Sequence, residues 1–79
     1  MRYNDRAFAL MMMRNYPPGT EIVLDQMGND PCPIPDGTKG KVLHVDDIGT
    51  IHCVFEDGRH LGLIPGEDLF HVIKKPTTP

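Results

Sequence analysis

From Pro35 to Ile73, glycine and proline divide the chain into runs too short for helices: PDGTKGKVLHV, DDIG, TIHCVFE, DG, RHLGLIP and GEDLFHVI. Branched and aromatic side chains fill the runs and turn formers separate them. This pattern dictates short strands joined by tight turns, and so a small curled sheet. The chain has 79 residues, which suits one domain. A domain of that size buries only roughly 60% of the surface its unfolded chain exposes. Added apolar contact from a docked helix or a second subunit would therefore stabilise it noticeably, and self-association stays open.

Cys32 and Cys53 stand apart, without a C-x-x-C pair or the dense cysteine framework of small secreted domains, which points to the cytosol. The apolar run from Ala7 to Met13 is too short to span a bilayer. It is closed by Arg14 and followed by no small-residue cleavage site, so neither a membrane span nor a signal peptide is expected. The net charge of −3 is unevenly spread. Residues 17–73 hold ten acidic residues against Lys39, Lys41 and Arg59, a net of −7, while the two ends hold five basic residues against Asp5, a net of +4. A globule that acidic repels phosphate backbones, because nucleic-acid affinity rests on Lys and Arg contacts.

Residues 1–16 read as a helical arm, 17–73 as the β domain and 74–79 as a solvated tail. Asn4 or Asp5 can cap the helix, Arg14 suits its last turn, and Tyr16-Pro17-Pro18 stops it. Phe8, Met11 and Met12 lie on one side and Leu10 and Met13 further round, so the helix must be covered, either by its own sheet or by a neighbour. Thr20 to Met27 reads as the first strand. The loop after it carries Pro31, Pro33 and Pro35 at alternate positions, which favours an extended polyproline-like course. Asp36-Gly37 turns the chain into Thr38 to Val45, where Gly40 permits bending or a close backbone approach.

Asp46-Asp47-Ile48-Gly49 joins that strand to Thr50–Glu56, and Asp57-Gly58 is a strong two-residue hairpin signal. A hairpin of that length opposes Glu56 to Arg59, Phe55 to His60, Cys53 to Gly62 and Ile51 to Ile64. Phe55, Cys53 and Ile51 then face inward, with Val42 opposite Cys53. His52, Val54, Leu61 and Leu63 are left on an outer face too apolar to stay wet. With Phe8, Leu10, Met11 and Met12 of the helix, these four residues form the expected interaction surface. A bulge near Gly62 would swap some of them, and the plainer alternative places the leucines in the core. Pro65-Gly66-Glu67-Asp68 reads as a tight turn and Leu69 to Ile73 as a final short strand.

Five short strands, a long loop after the first and Gly62-Leu63-Ile64-Pro65 before a short turn resemble an SH3-like barrel, and Gly40-x-Val42 resembles its KOW variety. The expected fold is mainly β, a five-stranded SH3-like barrel preceded by a short N-terminal α-helix. Ligand-gripping aromatics of SH3 domains proper are lacking, since the chain has no tryptophan. A longer pattern runs through Pro17-Pro18-Gly19-Thr20, Pro35-x-Gly37-Thr38-x-Gly40-x-Val42, Val45-Asp46-Asp47-x-Gly49-Thr50-Ile51-His52, Asp57-Gly58 and Leu61-Gly62-Leu63-x-Pro65-Gly66-Glu67-Asp68-x-Phe70. It resembles an uncharacterised domain-of-unknown-function family of small bacterial and mobile-element proteins. That resemblance implies an intracellular bacterial or phage-related setting and brings no catalytic residues. Phe55 stands where the family favours tryptophan and Cys53 where it favours valine.

His44, His52, His60 and His71 with Cys53 are the ligand types of a zinc site. The expected register scatters them, with His52 on the face opposite His60 and Cys53 and with His44 inward. The carboxylate pairs Asp46-Asp47, Glu56-Asp57 and Glu67-Asp68 fall at turns, where such side chains hydrogen-bond backbone amides. No cleft that would raise a carboxyl pKa is apparent. No glycine pattern matches a phosphate loop. A weak cation site at the acidic turns stays open. No catalytic residue, cofactor or metal site is expected. The expected function is a non-catalytic module that binds a protein of unknown identity or a second copy of itself. The alternative is a KOW-like nucleic-acid accessory protein that uses its basic termini, not its barrel.

Overall fold

Alternation of large apolar and polar side chains sets the strands, and a glycine or proline follows soon after the end of each, at Gly28, Gly49, Gly58, Pro65 and Pro76. The computed structural model describes residues 5–28 and 30–76. It contains α1 (Asp5–Asn15), β1 (Glu21–Gln26), β2 (Lys39–Val45), β3 (Ile51–Phe55), β4 (His60–Leu63) and β5 (Leu69–Lys74). The strands form one antiparallel sheet in the order β4-β3-β2-β1-β5. This is a meander whose last strand returns beside the first. The order is compatible with an SH3-like barrel, although among the described residues no ladder joins β4 to β5. The sequence-based capping by Asn4 or the Asp5 side chain, and the end of the tail at 77–79, lie outside the described residues.

The sheet curls around one core. Ile22 and Leu24 from β1, Val42 and Val45 from β2, and Ile51, Cys53 and Phe55 from β3 are all buried. Leu63 from β4, Ile34 from the long β1–β2 loop and Met12 from α1 complete the cluster. Gly40 is needed within β2, because a Cβ there would lie 2.8 Å from the Phe55 ring. The sequence-based pairing of Val42 with Cys53 is present.

The β3–β4 hairpin differs from the expected one. Phe55 N–H donates to Arg59 O at 2.8 Å, so the loop holds the three residues Glu56, Asp57 and Gly58. Gly58 has φ +90°, and its N–H donates to Phe55 O. A turn followed by a left-handed glycine is the usual three-residue solution. Asp57 Oδ1 accepts the Arg59 N–H at 3.0 Å and supports it. Val54 therefore pairs with His60, Cys53 with Leu61 and Ile51 with Leu63. One residue of slip moves every side chain of β4 to the other face. Leu63 is fully buried, Leu61 packs against the core, and Ile64 is 44% exposed. The expected outer face of His52, Val54, Leu61 and Leu63 is corrected to His52, Val54, His60 and Gly62.

A second slip lies in β2, where the register shifts between Val42 and His44. His44 consequently pairs with His52 on the outer face instead of pointing inward opposite Ile51. The start of the expected tail is also held in place. Lys74 ends β5, and Lys75 Nζ donates to Asn15 O at 3.0 Å, covering a terminal helix carbonyl.

Candidate interaction surface

Helix α1 turns one apolar face to the sheet. Met12 is part of the core, with Phe8, Met13 and Tyr16 packed against it, and the Tyr16 and Phe70 rings meet edge to face at 5.5 Å. The expected docking of this helix onto the outer sheet face is thereby corrected: its inner side completes the same core that Leu63 fills. Leu10 and Met11 point away and are 52% and 50% exposed.

Beside the first turn of the helix lies a groove of about 450 Å³. Phe8, Gly49 and Thr50 line it, with Ile48 contributed by the β2–β3 loop and Ile64, Pro65 and Glu67 by the β4–β5 turn. Ile48 is 57% exposed, so two isoleucines stand in loops with much of their surface in water. Gly49 has φ +89°, and a Cβ there would collide with the Phe8 ring. Only glycine permits both this turn and this approach of the helix.

Two aspartates hold the groove walls. Asp46 Oδ1 accepts the N–H groups of Ile48 at 3.1 Å and Thr50 at 2.9 Å, and its Oδ2 lies 2.7 Å from His52 Nε2. The hydrogen bond with His52 is the largest cause that holds the Asp46 carboxyl below its ordinary 3.8, and the two backbone amides act in the same direction. The turn presenting Ile48 is thus built on a charged acceptor. Asp68, itself buried, accepts the Gly28 N–H at 2.6 Å and the Ile64 N–H at 2.8 Å. That one carboxylate ties the long β1–β2 loop to the turn presenting Ile64.

Of the eight residues expected to form the surface, Leu10 and Met11 are exposed, while Met12 and Leu63 are core. Phe8 and Leu61 are half-buried against that core, and His52 and Val54 stand half-buried on the outer face. Ile48 and Ile64 belong to the exposed apolar surface and escaped the sequence reading. The available signal was an isoleucine inside an otherwise polar turn, Asp46-Asp47-Ile48-Gly49, and another directly before Pro65-Gly66. In the β4–β5 turn, Pro65 bridges to Asp68 and Gly66 has φ +95°.

All four histidines occupy the outer face. The His44 and His52 rings stack with centroids 4.6 Å apart, His60 follows on β4, and His71 Nδ1 lies 2.8 Å from Asp25 Oδ2. Stacked rings do not converge their nitrogens on one point. Among the described residues no group of three or more His, Cys, Asp or Glu could hold a metal ion. Exposed Lys39 and Lys41 share this face with carboxylates: Glu21 pairs with Lys41, and Glu56 Oε1 accepts the Lys39 N–H. Burial pushes the Cys53 thiol up to about 12, leaving it protonated and inert, while Cys32 is exposed. No helix among the described residues is long and apolar enough to cross a membrane.

Comparison with curated proteins and with solved structures yields no match. A family model described as a domain of unknown function, DUF4314, matches residues 7–73. That span takes in most of the helix, both groove walls and nearly all of the sheet, and the chain accordingly belongs to the DUF4314 family.

Proposed function

We propose that this protein is a non-catalytic protein-interaction module that works in the bacterial cytoplasm, in the phage- or mobile-element-related setting implied by its motif pattern. The observation that carries this reading is the apolar groove, whose Ile48 and Ile64 are held half-exposed by loops anchored on Asp46 and Asp68. Apolar side chains gathered round one groove on hydrogen-bonded turns mark an interaction surface, as the same side chains scattered singly would not. Asp30, Asp46, Asp57 and Asp68 are occupied as acceptors for backbone amides, which suits structural rather than acid–base roles.

The test is retention of a protein partner from lysate of the source cells by the immobilised wild-type chain and by an Ile64→Asp variant with an unchanged circular dichroism spectrum. Wild type should retain the partner and the variant should lose it. Retention of RNA or DNA instead, weakening steeply with salt and indifferent to Ile64→Asp, would replace this reading with nucleic-acid binding through the basic termini.

A further inference from the structure

We infer that the outer stripe of α1 and the adjoining groove are covered by a second copy of this chain, the two helices lying antiparallel about a two-fold axis. The inference rests on the interaction-module reading and names its partner.

Three observations support it. First, the helix is apolar on two sides. With its inner face consumed by the core, Ala7, Leu10 and Met11 form a second stripe at i, i+3, i+4 spacing, and all three are exposed. Met11 lies about 60° round the helix from Phe8, the residue through which the helix lines the groove. Second, charge is complementary. Arg14 stands in the last turn of α1 at the end of the stripe, whereas the groove beside the first turn carries exposed Glu67, with exposed Asp47 next to Ile48. A two-fold axis near Leu10 and Met11 brings the second copy's Arg14 over these carboxylates, and the reverse contact forms at the same time. Such a self-complementary patch is what a closed dimer requires. Third, a domain this small gains proportionately more from added burial than a large one, and the two copies together would cover Leu10, Met11, Ile48 and Ile64 twice over.

The experiment is solution mass by light scattering on the purified full chain over a micromolar to millimolar series, with circular dichroism as a check of folding. Wild type should show the mass of two chains. Met11→Glu, on the exposed side and outside the core, should weaken association at least about 100-fold. Arg14→Glu should weaken it roughly tenfold, and adding Glu67→Arg should restore it. A wild-type monomer throughout the series, a Met11→Glu dimer of unchanged affinity, or failure of the double charge reversal to restore what the single one lost would each overturn the arrangement. Loss of lysate partners is a separate readout, so a monomer that still captures a protein through Ile64 sinks the dimer and leaves the interaction module standing.

Discussion

The contact between Gly40 and Phe55 shows how little room the core leaves. Gly40 is buried near the start of β2, and the Phe55 ring occupies the space its side chain would fill. Gly40→Ala must push an aromatic ring that is itself 2% exposed, and overpacking of this kind costs typically ~1–3 kcal/mol. Chemical denaturation of Gly40→Ala should show a loss in that range, and Phe55→Leu in the same chain should return part of it by vacating the ring volume. An additive double mutant would show that the ring is not the obstacle. Asp68 works at the same scale by a different means. Its two oxygens satisfy amides 40 and 4 residues away in sequence. Sequence reading foresaw a turn aspartate there but not its long-range bond.

Among the elements, the β3–β4 hairpin controls most. Its three-residue loop places Leu61 and Leu63 inside, and a two-residue loop would place them outside. Replacing Glu56-Asp57-Gly58 by Asn-Gly favours the shorter turn. This shifts β4 by one position and turns Leu63, now fully buried, toward water. The transfer of that side chain alone is unfavourable by ~2–3 kcal/mol, a large share of the stability of a small domain. The shortened chain should lose native spectral dispersion in NMR or precipitate. A native spectrum with unchanged denaturation midpoint would mean that packing, and not loop length, sets the phase of β4. Helix α1 follows a related logic, because its stop at Tyr16-Pro17-Pro18 was legible while its choice of covered face depended on where the sheet left a gap.

For the whole molecule, stability should depend on acid in a defined direction. The Asp46 carboxyl sits below its ordinary 3.8 because the native fold bonds its charged form. The stabilisation it brings is complete above that value and is lost as pH falls through the lowered one. Urea unfolding from neutral pH down to pH ~2 should therefore show the gap between wild type and Asp46→Asn closing in the acid range. A constant gap would mean that the charge on Asp46 contributes nothing. The sequence alone determined where the strands lie, because glycine, proline and the alternation of apolar side chains are local facts that every competing fold must respect. It also determined the inward phase of β3, where Ile51, Cys53 and Phe55 are the larger set on one parity with a single apolar residue, Val54, on the other. Only the tertiary structure decided the phase of β4, whose neighbourhood offers Leu61 and Leu63 on one parity and Ile64 on the other, and the outward turn of His44 after the register shift in β2. The physical reason is parity: one residue more or less in a loop or bulge reverses a strand's faces, and only the fit of the whole core, with α1 closing it, selects which count survives.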